Sequence, residues 1–375
     1  MTTLLVEPDP GGHRFQLAAE VARVAHRSGD VILLTSIGAQ ATEAFRSHLQ
    51  DAPVKVIERF DAIYPPTAEM AREVAQLCRE SGVDTVVVMD ADKTLKRWWY
   101  VAAKAFRGLP RRPRVVFMLT RYPTRVELFD RRFWFMRLSK GLLALLAYAT
   151  RTLSRAGCFA GRDDMSDGLV VKRLRDAAVC SAHSRDRAAL RTALDLPLDR
   201  PIVGIVGLID ARKAVPLVYE ATLASADNAE LLIAGVVDAE VRQWIESAAP
   251  GYLDRLIVRD KHLANDELDQ LVAACDVISV VQPYKGPSGI MGKALVAEVP
   301  VVTAGSAVRA REVKVTGGGL AADLNAESVA AVLRWLYQQG NAGIRADRLP
   351  PATFEAFAER LLGVGPDGLL PARAR

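Results

Sequence analysis

Cysteine is scarce: Cys78, Cys158, Cys180 and Cys275 are the only four in 375 residues. None is paired at metal-ligand spacing, and there is no disulfide framework, so the thiols suit a reducing compartment. Long apolar runs are missing too. The most apolar stretch, "GLLALLAYA" at 141–149, is too short to span a bilayer. The N-terminal "MTTLLVEPDPGG" has no basic n-region or cleavage site, so no signal peptide is expected. A Walker loop, a Ser-His-Asp set and a metal cluster of usable spacing are all lacking. These absences leave a cytoplasmic globular protein without a bound metal as the expectation.

What is present is a soluble composition, half hydrophobic and a quarter charged, over a length that suits two domains. The net charge of +5 hides an asymmetry. Between Lys93 and Arg155 stand sixteen Lys/Arg against only Glu127 and Asp130, leaving the rest of the chain net acidic. That span also holds 11 of the 24 aromatic residues, Trp98, Trp99 and Trp134 among them. Cations mixed with rings suit an anionic membrane surface or an anionic acceptor, with Arg121, Trp98, Trp99 and Trp134 as candidate contacts. Nucleic acid would be drawn to the same patch, but nothing else in the chain supports it. An ordinary solvated basic face over core aromatics is the plain alternative.

The hydrophobic pattern alternates strands with helices. "TTLLVEP" reads as a strand running into a Pro-Gly turn, followed by helical spacing at Leu17, Val21 and Val24 and by the strand "VILLTS". This is a βαβ unit with buried parallel strands. "TVVVMD" (85–90) and "RVVFMLT" (114–120) extend the sheet, and "RRFWFMRLSKGLLALLAYATRTL" predicts a long basic-flanked helix. A second series follows from about residue 178, with strands at 201–209, 229–235, 255–260, 276–281 and 299–305. Helices are expected between them at 214–224, 238–247 and 265–274, and later at 326–338 and 352–362. The fold class is therefore α/β, with two Rossmann-like doubly wound domains. The expected bounds are 1–177, 178–345, and a C-terminal helix and tail at 346–375. Such sheets bind ligands outside the carboxyl ends of their strands.

Two stretches fall at those ends. In "PYKGPSGIMGKAL" (283–295), Ser288 is a good N-cap, and Gly289, Ile290 and Met291 would supply the first helical amides. Met291 cannot complete a capping box, which leaves the donors for a ligand. An anion there gains from amides and helix dipole together, and a diphosphate fits. In "VGLIDARKAVPLVYEA", Gly207 ends a strand, and Arg212 or Lys213 would reach the same phosphates. A common Gly loop and a surface Arg-Lys pair are the plain alternatives.

In that order these segments resemble GT-B glycosyltransferases, in the retaining group typified by glycogen and sucrose synthases. "PDPGGHRFQLAAEVARVAHRSGDVILLTS" resembles the family's Gly-Gly loop, first helix and next strand. "AVCSAHSRDRAALRTALDL" resembles the start of the second domain, and "VGLIDARKAVPLVYEA" the family's "xGRLxxxKGxxxLIxA". "ANDELDQLVAACDVISVVQPYKGPSGIMGKALVAEVPVV" resembles the motif carrying two glutamates eight positions apart, and "PATFEAFAERLL" the closing helix that crosses back to the first domain. The resemblance covers nearly the whole chain. It implies two domains facing across a cleft and sugar transfer from a nucleotide diphosphate sugar, with retention, no obligatory metal and no cofactor. It also implies roles: Gly11 and Gly12 let the backbone approach donor and acceptor, and Lys213 meets the diphosphate. The Ser288–Met291 amides bind phosphate or sugar, and the backbone of Lys261, His262 and Leu263 holds the base. His13, beside the Gly-Gly loop, is placed to orient an acceptor hydroxyl or a phosphate. The acceptor is unspecified, with a lipid-linked or anionic molecule suggested by the basic span.

The chain departs from that pattern where it matters. The two glutamates fall on Lys285 and Lys293, which cannot accept hydrogen bonds from hydroxyls. The expectation is that at least one of these lysines meets an anionic group of donor or acceptor. Leu208 replaces the arginine of "GRL", Ala214 the glycine after the lysine, and the expected first-domain histidine is replaced near Arg121. A non-catalytic homologue acting as a binding partner or scaffold is the alternative those changes favour. A 2-epimerase or phosphorylase of the same fold is a further rival, but its acidic, histidine or cofactor-lysine residues are not apparent.

Overall fold

A computed structural model describes residues 1–11, 14–126, 129–164, 166–284, 286–340, 344–349, 352–365 and 367–371. The roles expected of Gly12, His13 and Lys285 fall outside the described residues. The chain forms two compact units. Unit 1 comprises Met1–Ala160, Asp164–Arg175 and Thr353–Arg375; unit 2 comprises Gly161–Asp163 and Asp176–Ala352.

Unit 1 is built on seven strands: β1 (Thr3–Val6), β2 (Val31–Ser36), β3 (Lys55–Phe60), β4 (Thr85–Val88), β5 (Arg114–Leu119), β6 (Arg155–Ala160) and β7 (Lys172–Arg175). They pair in parallel in the order β3-β2-β1-β4-β5-β6-β7. The helices are α1 (Arg14–His26), α2 (Glu43–His48), α3 (Thr67–Ser81), α4 (Leu95–Ala105) and α5 (Arg131–Ala149). Alternate strand residues serve opposite faces: Leu4, Val6, Val86 and Val88 pack with α3, α4 and α5. Leu5, Val87 and Val116 pack with α1. Both faces are covered, which explains why the central strands read as unbroken apolar runs.

Unit 2 repeats the design with β8 (Ile202–Val206), β9 (Glu230–Gly235), β10 (Leu256–Asp260), β11 (Val277–Val281), β12 (Val301–Ala304) and β13 (Gly319–Ala322). Their order is β10-β9-β8-β11-β12-β13, again all parallel. Its helices are α6 (Arg187–Ala193), α7 (Val215–Ser225), α8 (Ala239–Glu246), α9 (Asn265–Ala274), α10 (Gly289–Val296), α11 (Ala307–Thr316) and α12 (Ala326–Gln339). One face carries α9 and α10, the other α7, α8 and α12. The α/β class with two doubly wound parallel sheets is thus observed.

The last helix, α13 (Phe354–Leu362), packs on α1 and belongs to unit 1. Phe357, 2 % exposed, stacks on Phe159 at 5.5 Å between centroids. Arg114 Nη2 donates to the Leu362 carbonyl at 2.6 Å, closing the end of the helix. Phe357→Ala is expected to lower the unfolding free energy by about 3–5 kcal/mol, read from urea titration. Wild-type stability in that variant would show that the docking of α13 rests on other contacts.

Candidate functional site

In each sheet the strand order reverses once, between β1 and β4 in unit 1 and between β8 and β11 in unit 2. The carboxyl ends of these strands are where open α/β sheets receive ligands.

At the unit 2 reversal, β8 runs into Gly207, whose φ of 99° lies in a region L side chains rarely adopt. Its neighbour Gly235 comes so close that a Cβ there would stand 1.9 Å from the Gly207 carbonyl. The chain then turns through Asp210, whose carboxylate accepts the Arg212 amide, into a 3-10 turn ending at Lys213. Lys213 folds back over the strand end, and its Nζ donates to the Val206 carbonyl at 2.5 Å. Burial pushes this amine down to about 8, against the pull of Asp210. From Gly207 an ideal Cβ would lie 3.5 Å from Lys213 Nζ and 3.9 Å from Ile290. Gly207, Lys213 and the first turn of α10 therefore meet at one place.

The start of α10 is built for an open end. Ser288 caps it as expected, but its Oγ accepts the Met291 amide at 3.3 Å, so that donor is already used. The Met291 side chain is fully buried. The amides of Gly289 and Ile290 have no acceptor within the helix. Two buried arginines hold this segment. Arg309 spends all five N–H groups on Thr303 Oγ1 and on the carbonyls of Gln282, Tyr284, Gly286 and Ala304. It thereby fixes the loop between β11 and α10. Arg162 donates to the Ser288 carbonyl at 3.1 Å and to Glu312 at 2.8 Å. A Cβ at Gly292 would sit 2.1 Å from the Arg162 guanidinium, so a side chain there would displace it.

Other expected residues stand apart from this convergence. Arg212 is 63 % exposed and paired with Asp210 through Nε at 2.9 Å. Lys293 is paired within the fold: its Nζ donates to Asp269 Oδ1 at 2.6 Å and to the Val179 carbonyl at 3.0 Å. Asp269 also accepts from Ser181, so Lys293 ties α10 to α9 and to the start of unit 2. Lys261, His262 and Leu263 follow β10, two strands along the same edge. There Lys261 pairs with Glu267 at 2.6 Å, and Leu263 packs on the core.

The unit 1 reversal gathers carboxylates. Arg14 reaches Asp90 at 2.9 Å, Asp9 at 3.4 Å and Glu7 at 3.5 Å. Asp92 accepts from the amides of Thr120 and Arg121, at 2.7 and 2.8 Å, and from Lys140. The Gly11 amide donates to Asp9 at 2.9 Å, closing the turn after β1. Glu7 is 1 % exposed, its Oε2 has no hydrogen-bond partner among the described residues, and burial outweighs Arg14 to push its carboxyl up to about 8. Trp98 is corrected outright. It is completely buried, with its indole N–H on the Thr152 carbonyl at 2.8 Å and its ring edge-on to Phe117, so it meets neither membrane nor acceptor. Trp99 is half-buried against the same core, while Trp134 is at the surface with Arg137 over its ring at 5.6 Å.

Sequence reasoning missed Arg162, Arg309, Glu312, Glu7 and Arg14. A signal existed for two of them: Arg309 and Glu312 share the buried face of α11 with Val308, Val313 and Thr316. Among the described residues, no group of three metal-ligating side chains comes together.

No family model matches the chain, and no curated protein matches it. Solved structures do. Anabaena Alr3699/HepE in complex with UDP-glucose aligns at a TM-score of 0.65 and 16% identity, over 96% of this chain and 98% of that one. Sucrose-phosphate synthase from Thermosynechococcus elongatus aligns at 0.60 and 15%, over 97% and 94%. WaaG, a glycosyltransferase involved in lipopolysaccharide biosynthesis, aligns at 0.58 and 15%, over 96% and 94%. The fold is thus that of GT-B glycosyltransferases.

Two outcomes follow from the strand ends. Ala214, in the position where the resemblance places glycine, sits at φ 47° and ψ 44°. Ala214→Gly is expected to raise the unfolding free energy by about 1 kcal/mol through relief of that strain, read from urea titration. For Glu7 the fold favours the neutral acid. Its contribution is full below about 4.5, the ordinary value, and is lost as pH rises through about 8. Across that window the Glu7 contribution falls by about 1.4 kcal/mol per pH unit, and Glu7→Gln should remove that slope. Identical pH profiles for the two proteins would place the Glu7 titration elsewhere.

Proposed function

We propose that the chain transfers a sugar from a nucleotide diphosphate sugar to an acceptor, with the diphosphate held at the unit 2 reversal. The observation that carries this reading is the convergence of Gly207, Lys213 and the α10 N-terminus beyond β8 and β11. The similarity to a protein seen with UDP-glucose supports it. Glycine lets phosphate oxygens approach the backbone, Lys213 supplies a point charge, and the Gly289 and Ile290 amides add directed donors. As the sugar–phosphate bond breaks, negative charge grows on the departing nucleoside diphosphate. Donors already fixed by Arg309 stabilise that charge with little reorganisation. Retention of configuration, reaction without a metal, and a lipid-linked or anionic acceptor are the finer parts of the proposal. The resemblance suggests the first two and the basic span of unit 1 the third.

A second reading, a binding partner without catalysis, draws on one observation. Where the resemblance expects a glutamate, Lys293 is committed to Asp269.

Calorimetric titration with UDP, ADP, GDP and their glucose conjugates tests both. At least one nucleotide should bind, and Lys213→Ala should weaken it at least tenfold, about 1.4 kcal/mol. Because Lys213 titrates near 8, affinity should fall as pH rises through that value. Failure of every nucleotide to bind overturns the donor site. Binding without nucleotide release from any donor, whatever the acceptor, favours the non-catalytic reading.

A further inference from the structure

Helix α5 inverts the usual amphipathic rule. Across its 19 residues only Ala144 and Ala147 are buried. The large apolar side chains Phe135, Leu138, Leu142 and Leu145 are exposed by 74, 66, 59 and 50 %. Their spacing of three, four and three residues places them in one stripe along the helix. Phe129, just before the N-terminus, and Leu169, next to the Val170 carbonyl that Tyr148 reaches at 3.0 Å, are also exposed, by 95 and 98 %. Exposed large apolar side chains in a stripe along one helix mark a contact site rather than a chance exposure.

The charges beside the stripe identify what it contacts. Helix α4 packs next to α5 and exposes Lys96, Arg97 and Lys104, with Arg107 just beyond it. Arg131 and Arg132 are exposed at the start of α5. Neither helix contains an acidic residue. A second copy of the chain would bring like-charged rows together around the same stripe, which disfavours self-association. No helix among the described residues is long and apolar enough to cross a membrane. The remaining geometry is a helix lying in the interface plane, apolar face down and cations among headgroups.

We propose that unit 1 docks on anionic lipid surfaces through the exposed stripe of α5, flanked by the basic face of α4. The buried Trp98 takes no part, and the seat is aliphatic and phenylalanine-rich instead. Lys140, on the same helix, reaches Asp92 beyond β4 and the Arg121 carbonyl beyond β5. Docking thus fixes the strand-end carboxylates of unit 1 relative to the bilayer. It stands independently of the donor site.

Co-sedimentation of the full chain with vesicles tests it, using phosphatidylcholine alone and phosphatidylcholine with one-third phosphatidylglycerol. Partition onto the anionic vesicles should exceed that onto neutral ones by about tenfold or more and weaken at about 0.5 M salt. Leu138→Glu with Leu142→Glu should reduce it at least about tenfold while nucleotide affinity is unchanged. If that pair fails to fold, Lys96→Gln with Arg97→Gln should still weaken anionic-vesicle binding about tenfold. No vesicle binding, or equal binding by the variants, overturns the proposal. So does a wild-type dimer that the glutamate pair converts to a monomer, because the stripe would then be a self-association surface. Vesicle binding intact in a chain that binds no nucleotide would leave docking standing and remove only the donor reading.

Discussion

Burying both faces of a parallel sheet confines polar chemistry to the strand ends. In unit 1 the central strands send Leu4 and Val6 into one core and Leu5 into the other, and unit 2 does the same with Ile202 and Val203. No hydroxyl, amine or carboxylate can serve a ligand from within such layers without a large desolvation cost. Each sheet therefore presents its polar groups beyond the carboxyl ends, and most densely where the strand order reverses. The two reversals have taken opposite charges. Unit 2 offers Lys213 and helix amides, and unit 1 offers Asp9 and Asp90 around Arg14, with Asp92 held by Lys140.

Three lysines and arginines that look alike in sequence are separated by their partners. Arg212 has its own carboxylate two residues away and remains solvated. Lys293 is neutralised by the buried Asp269, which makes it a brace between helices. Among the described residues Lys213 has only a backbone carbonyl as acceptor, and it is pushed towards neutrality by burial. A cation held in that state gains most from an arriving anion, because the anion supplies the counter-charge that the fold withholds. Position relative to a strand end, more than residue type, separates Lys213 from the structural Lys293.

The central elements were legible because burial imposes an unbroken apolar run or a 3.6-residue period. Helices α9 and α12 and strands β9 to β12 fall within a residue or two of the positions read from the pattern, and β8 ends three residues earlier than expected. Three of the four edge strands were not legible, β10 being the exception. β3 (KVIERF) and β7 (KRLR) mix polar and apolar residues because solvent reaches them, and β13 (GLAA) buries only one residue. β6 was hidden for another reason: Gly157 and Cys158 replace large side chains where Leu174 packs close, and small residues carry no periodic signal. At the site, Gly207, Lys213 and Ser288 followed from turn and cap chemistry. The true environments of Lys293 and Trp98 needed tertiary contacts that no local spacing encodes.

The buried arginines show why the loop between β11 and α10 holds its shape although its sequence is rich in glycine and proline. Such a loop gains little from propensity, and its carbonyls would be orphaned in a low-dielectric layer. Arg309 collects three of them, together with the Ala304 carbonyl of β12, on one planar guanidinium with every N–H satisfied, so the charge is solvated by the protein backbone instead of water. Arg162 donates to the Ser288 carbonyl through Nη2, with Glu312 as counter-ion and Gly292 leaving room for its approach. Lysine could not replace either residue, since a single ammonium offers three donors without the planar spread that reaches separate carbonyls.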